Sequence, residues 1–279
     1  MHEKSHPTLA YRPDIDGLRA IAVSSVVLYH AFPSYLPGGF AGVDVFFVIS
    51  GFLISSIIFK GLANGSFSLR VFYERRVRRI FPSLLLVLIS SVLFGWFVLS
   101  PDAYSRLGKH TAGGASFVAN FLLWNEAGYF DVSAHRKPLL HLWSLGIEEQ
   151  FYLIWPVFAL SVWRWLPRQR GSALVLLLLA SFALNILLKD HNPEAAFYLP
   201  LTRFWELLVG ALLAFHGQVR KPSFLARRAS PVLLSVVGLG LLLAAFTLID
   251  NRKSFPGWWA VMPVIGTATI ILAGTRSSV

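Results

Sequence analysis

Eight stretches of this chain are almost free of charge and close to the length that crosses a bilayer: 18–36, 39–59, 80–100, 139–163, 172–188, 199–216, 231–249 and 257–275. About 20 apolar residues span the hydrocarbon core as a helix, because a backbone that meets no water must satisfy its hydrogen bonds internally. The expected architecture is an all-α, polytopic transmembrane helix bundle of about eight spans. A further segment, 110–127, is apolar but rich in small residues and interrupted by Asn120. It reads either as a re-entrant or interfacial helix that does not cross fully, or as a ninth crossing.

Composition supports the membrane reading. Hydrophobic residues make up 55% of the 279 positions and charged residues only 14%, more apolar surface than a soluble core of this size needs. The net charge of +11 would suggest a nucleic-acid partner on a soluble protein. Here the basic residues fall in short clusters between apolar runs, which points to loops at an anionic membrane surface and to membrane lipid, not nucleic acid. The absence of cysteine excludes disulfides, thiolate metal sites and a cysteine nucleophile. His110, His135, His191 and His216 have no ligand spacing, so no metal is expected. No cleavage site follows the first apolar run, which therefore reads as a retained span. No internal repeat and no soluble stretch after residue 80 stand out, so 1–279 reads as one membrane domain.

The charges also orient the spans. With a cytoplasmic N-terminus, the inside loops hold Lys60, Arg70, Arg75, Arg76, Arg78 and Arg79, then Arg164, Arg168 and Arg170, then Arg220, Lys221, Arg227 and Arg228. The outside loops mix signs, as in Lys189 with Asp190 and Glu194. The positive-inside rule favours this frame, with 110–127 not crossing.

Several polar residues sit where a span would be expected to exclude them. Arg19 and His30 lie eleven positions apart in LRAIAVSSVVLYH. Eleven helical steps bring them to nearly the same face, about 16 Å apart along the axis. A snorkelling arginine and a capped histidine would explain them, but an intramembrane ionisable group usually faces a cavity, and histidine suits general base work. In FYERRVRRIFP, residues 72–82, Arg75 shares a helix face with Arg78 and Arg79, and such guanidinium groups suit phosphates; a topology anchor is the plainer reading. Asp44 lies within GGFAGVDVFFVISGFLI, where pairing with Arg19 or Arg203 is favoured over direct chemistry. His141, Glu148, Glu149 and Gln150 open an otherwise apolar helix. Adjacent carboxylates differ by about 100° around a helix, so at most one faces a given cavity. Arg203 and Glu206, three positions apart, are expected to pair within their span.

In this order, PDIDGLRAIAV with His30 at the Arg-x10-His spacing, GGFAGVDVFFVISGFLI, FYERRVRRIFP, LLHLWSLGIEEQFY and RFWELLVGALLA resemble the membrane-bound acyltransferase-3 family. The resemblance covers roughly residues 10–275 and is closest to the branch whose membrane domain precedes an extracytoplasmic SGNH hydrolase-like domain. It implies O-acyl transfer, usually of acetyl, from cytoplasmic acetyl-CoA to a hydroxyl of a glycan or glycolipid outside the membrane, such as lipopolysaccharide O-antigen or another surface polysaccharide. It implies a multi-pass protein of the bacterial inner membrane with a cytoplasmic N-terminus. The implied catalytic set is His30, Arg19 and Glu148, with Glu148 orienting the imidazole. Arg75, Arg76 and Arg79 are the implied binders of the CoA phosphates. Asp44, Glu149, His141, Arg203 and Glu206 are further cavity candidates. The family's membrane domain has about ten spans and this branch adds the SGNH domain, so the expectation is a fragment or truncated homologue without its C-terminal spans, acting with an SGNH-type domain or partner.

Two other classes fit the bare residues. A transporter or flippase would use the intramembrane charges as a relay and would release no free CoA. A catalytically silent binding module would bind without turnover.

Overall fold

A computed structural model describes residues 11–127, 137–219, 230–250 and 252–277. Among them all regular structure is helical: α1 (Pro13–Ala31), a 3-10 turn (Gly39–Ala41), α2 (Gly42–Ala63), α3 (Leu69–Val98), α4 (Pro101–Ala115), α5 (Ala119–Glu126), α6 (Leu142–Trp165), α7 (Arg170–Leu188), α8 (Pro193–Tyr198), α9 (Pro200–Val219), α10 (Pro231–Leu248) and α11 (Val261–Ser277). Each of the eight apolar runs coincides with a helix. Five helical segments are long and apolar enough to cross a bilayer: Gly39–Ala63, Leu69–Val98, Arg170–Leu188, Pro193–Gly217 and Pro231–Leu248. The basic loop at Arg220, Lys221, Arg227 and Arg228, and His135, lie outside the described residues.

The boundaries differ from the expected ones at two informative places. The first run stops at Ala31, before Pro33, and not at residue 36. The third begins at Leu69, not at 80, so FYERRVRRIFP forms the first turns of a 30-residue helix that continues through Pro82.

The helices fall into two compact units. The first comprises residues 1–67, 158–197 and 201–279; the second comprises 68–157 and 198–200.

In the first unit the helices alternate in direction. At one end, Tyr29 at the close of α1 meets Phe40, Phe40 meets Phe255, and Phe255 meets Phe197, with ring centroids 5.2, 4.9 and 6.5 Å apart. At the other end, Arg12 before α1 donates to the Ile271 carbonyl of α11 at 3.0 Å, and Phe59 of α2 packs on Trp163 and Phe215. The sequence frame requires this grouping of loops. Helix α2 is the most enclosed, with 72% of its apolar window buried against 17% for α7 and 22% for α10. A Cβ on Gly51 would lie 1.8 Å from the Leu207 carbonyl oxygen, and one on Gly210 would lie 2.1 Å from that of Val48. The α2 and α9 backbones therefore touch, as small residues permit where helices associate in lipid.

The second unit is built on α3, about 45 Å long. Leu84, Leu88, Leu107, Ala119, Leu139 and Leu142 form its core. The outward face of α3 leaves Leu86, Ile89, Leu93, Phe94, Trp96 and Phe97 exposed, a stripe suited to lipid and not to water. Helix α4 runs back along α3: Gly95 lies against Leu107 near one end, and Gly114 lies near Leu88 further along. The chain then turns at Phe117, which faces Phe81, and α5 retraces the path until Glu126 reaches Lys109 and His110 on α4. Segment 110–127 is thus not one helix but the end of α4, a turn and the return limb α5 of a helical hairpin, and neither limb is among the helical segments long and apolar enough to cross.

Candidate functional site

The hairpin tip has a defined stereochemistry. The Val118 N–H bonds to the Gly113 carbonyl at 2.8 Å and the Phe117 N–H to that of Gly114 at 3.2 Å. These two bonds make a Schellman cap, whose left-handed position usually takes glycine. Here Phe117 occupies it, at φ 57°. A Cβ-bearing residue in this region costs of order 1–3 kcal/mol and persists where its surroundings hold it. They do: Gln150 Nε2 on α6 donates to the Phe117 carbonyl at 2.7 Å and to Asn120 Oδ1 at 2.8 Å. Asn120 Nδ2 in turn donates to the Tyr198 carbonyl at 3.0 Å. Gly146 lets α6 come this close, since a Cβ there would lie 2.9 Å from Asn120 Oδ1.

Below the tip is a cavity of about 280 Å³ between the N-terminal part of α3, residues 116–118 and α6. Its walls include Tyr73, Arg76, Phe81, Phe117, Glu149 and Gln150. Tyr73 and Leu153 close one side, where the tyrosine hydroxyl donates to the Leu153 carbonyl at 2.7 Å. The Arg76 guanidinium lies over the Tyr152 ring, 4.5 Å from its centroid, and the Tyr152 hydroxyl donates to Glu148 Oε1. The cation is thus held by a ring, and the ring by a carboxylate. Glu149, one position on, lines the cavity, and its Oε1 is buried without a hydrogen-bond partner; so is Gln150 Oε1.

The structure sorts the arginines of α3. Arg76 is half-buried in the cavity wall, Arg75 and Arg79 are exposed, and Arg78 pairs with Glu74 at 2.7 Å. It also separates the two carboxylates of α6: Glu149 faces the cavity while Glu148 holds Tyr152. His141 is exposed just before α6.

The other candidates lie in the first unit. His30 is exposed near the end of α1, and its Nδ1 sits 2.8 Å from the Val26 carbonyl. A carbonyl only accepts, so Nδ1 carries the proton in the neutral ring and Nε2 is the basic nitrogen. Arg19 pairs with Asp16 on the same helix at 3.5 Å. Asp44 pairs with Arg203 (Nη2 to Oδ1, 3.0 Å), and Arg203 Nη1 lies 3.1 Å from Glu206 Oε1. All three are fully buried, with Phe47, Phe197 and Phe255 around the guanidinium. Of the two arginines considered for Asp44, the partner is Arg203.

Sequence reasoning missed a polar group at the mouth of the hairpin. Glu126 accepts from Lys109 at 2.8 Å and Lys137 at 3.2 Å, and its Oε2 lies 3.0 Å from His110 Nε2. Burial pushes the Glu126 carboxyl up, but Lys109, His110 and Lys137 together hold it below the usual range. Burial, opposed by Glu126, keeps the His110 imidazole below its ordinary value. The signal was a cation and a carboxylate flanking an apolar run, legible only once the run is folded in two. Among the described residues no cluster could hold a metal ion.

A protein with several helices long and apolar enough to cross a bilayer, and a largely apolar pocket lined by Arg76 and Glu149 beneath the α4–α5 hairpin, is a polytopic membrane protein. The profile of the acyltransferase-3 family (Acyltransferase domain) matches residues 12–278, and the chain belongs to this family. It is 36% identical over 234 residues to peptidoglycan O-acetyltransferase OatA of Listeria monocytogenes, a match covering 82% of this chain and 38% of that protein. It is 34% identical over 257 residues to O-acetyltransferase OatA of Staphylococcus aureus, covering 88% of this chain and 42% of that protein. An uncharacterized protein of Haemophilus influenzae is 34% identical over 248 residues, covering 85% of this chain and 100% of that protein. The chain thus spans about two fifths of the length of the two named relatives. No solved structure matches it.

Proposed function

We propose that the chain performs the membrane step of O-acetylation of a cell-envelope glycan, with acetyl-CoA as donor, in the bacterial inner membrane and with its N-terminus in the cytoplasm. The observation that carries the reading is the Arg76 cavity within an acyltransferase-family domain. The cation lies on the first turns of α3, beside a basic loop of the kind the positive-inside rule favours on the cytoplasmic side, which supports a donor from that compartment. Arg76 takes a phosphate of CoA, with Arg75 and Arg79 adding charge at the approach. Glu148 acts through Tyr152, setting the ring on which Arg76 rests.

His30 is the proposed base. Its Nε2 removes the proton of the acceptor hydroxyl, whose oxygen attacks the thioester carbon. The carbon–sulfur bond breaks, the ester forms, and the proton ends on the CoA thiolate. Arg19, eleven positions before His30 on the same helix, joins it in the catalytic set on the strength of the family motif. The name of the Listeria relative points to peptidoglycan as acceptor, with lipopolysaccharide as the other glycan to assay. An SGNH-type extracytoplasmic domain or partner is the proposed receiver on the outer side.

The test is acetyl-CoA binding and CoA release by the purified chain in nanodiscs, with glycan acceptor supplied. His30→Ala is expected to bind acetyl-CoA within about twofold of wild type while losing release by a factor of order 10² or more, the usual worth of a general base. Full release by His30→Ala would end its assignment, and absence of binding by the wild type would end the donor reading.

A further inference from the structure

The cavity wall presents two acceptors with nothing to accept. Three links fix the first. The Tyr198 carbonyl can only accept, so Asn120 turns its Nδ2 toward it and its Oδ1 toward Gln150. Gln150 then faces two acceptors, Asn120 Oδ1 and the Phe117 carbonyl, and must meet both with Nε2. Gln150 Oε1 is left buried without a donor. Beside it, Glu149 Oε1 is buried in the same condition. An unmet buried acceptor is costly, so such atoms in a cavity wall are where a ligand's donors belong.

The remaining chemistry narrows the ligand. An amide oxygen only accepts and repels phosphate oxygens, so the nucleotide end of CoA does not lie against Gln150 Oε1. Val77, Ile80, Phe81, Val118 and Leu153 make most of the rest of the wall apolar. At about 280 Å³ the space is at the lower edge of ligand pockets, which start at about 300 Å³, so it holds a segment of a ligand and not a whole nucleotide cofactor. A thin, neutral segment with N–H donors, tethered to a phosphate that Arg76 can reach, fits all of this.

We propose that Glu149 and Gln150 read the amide N–H groups of the pantetheine arm of the acyl donor. The inference rests on the donor reading above and deepens it: Arg76 takes charge, while the α6 pair selects an amide-bearing arm. Glu149 is a binding residue that touches the donor, distinct from Glu148, which acts through Tyr152.

The experiment measures binding in nanodiscs of acetyl-CoA and of two analogues in which one or the other pantetheine amide is replaced by an ester, which removes the N–H at nearly constant size. Wild type should bind at least one ester analogue about tenfold more weakly than acetyl-CoA, the worth of one hydrogen bond to a buried acceptor. Glu149→Leu should erase most of that difference, and Glu149→Gln, which keeps an acceptor oxygen, should retain it. Ester analogues that bind wild type as tightly as acetyl-CoA would overturn the inference and leave the donor reading standing. Loss of all acetyl-CoA binding by wild type would overturn both. Competition by a disaccharide of N-acetylated amino sugars, with none by acetyl-CoA, would give the cavity to the acceptor. The wild-type comparison needs no variant to fold.

Discussion

Arg203 places one positive charge between two carboxylates, and all three residues are buried. Removing one partner of a buried ion pair strands the other and typically costs 3–5 kcal/mol. Arg203→Met should therefore lower the thermal midpoint of the detergent-solubilised protein steeply, and Arg203→Lys should rescue little, because one ammonium does not replicate a fork reaching two carboxylates. A midpoint unchanged in Arg203→Met would show that the group contributes nothing to folding. This pairing was partly legible beforehand: the three-residue spacing of Arg203 and Glu206 gave one contact, and an aspartate inside an apolar run demanded a cation. Which cation was not legible, because it depends on α2 and α9 touching backbone to backbone at Gly51 and Gly210. Glu149 was harder. Its neighbour matched the family motif better, and only the rotation of α6 shows which carboxylate faces the cavity.

The α4–α5 hairpin is the element that sequence patterning described least well. Composition marked 110–127 as unusual, and Asn120 marked a break, but the break falls at Phe117, where neither glycine nor proline announces it. The fold is decided instead by partners distant in sequence, Gln150 and Tyr198, and by the ion group at the hairpin's mouth. That group makes the hairpin acid-sensitive. His110 and Glu126 both titrate below their ordinary values when folded. For each, the stabilising contribution is present above the unfolded pKa, about 6.5 for histidine and about 4.3 for glutamate. It is lost as the pH falls through the folded value. Hydrogen exchange of α4 and α5 amides should accelerate, after correction for intrinsic rates, below about pH 6 and further below about pH 4. Replacing Glu126 by Gln should remove the lower step. Protection constant across that range would show that the group does not hold the hairpin closed.

For the whole chain, the eight apolar runs and the distribution of arginines set out the helices and their alternation, because lipid leaves the backbone few alternatives. The grouping of Phe40, Phe197 and Phe255 at one end and of Arg12 with Ile271 at the other fits that order. The sidedness is open to a direct test, since the chain has no cysteine. In spheroplasts, Lys253→Cys should react with a membrane-impermeant maleimide, and Gln169→Cys should react only after permeabilisation; the reverse pattern would invert the frame. What the linear pattern does not carry is the site, whose walls come from segments that ribosomal order keeps apart. The carbonyl that orients Asn120, and through it the amide of Gln150, belongs to Tyr198, 78 positions further along. A nascent chain inserts from its N-terminus, so α3 to α6 are already made while the polarity of the pocket is still undecided. The orientation of the Gln150 amide is settled only when the segment leading into α9 has been synthesised. A chain stopped before Tyr198 therefore leaves the Gln150 amide free to present either its oxygen or its nitrogen to the pocket.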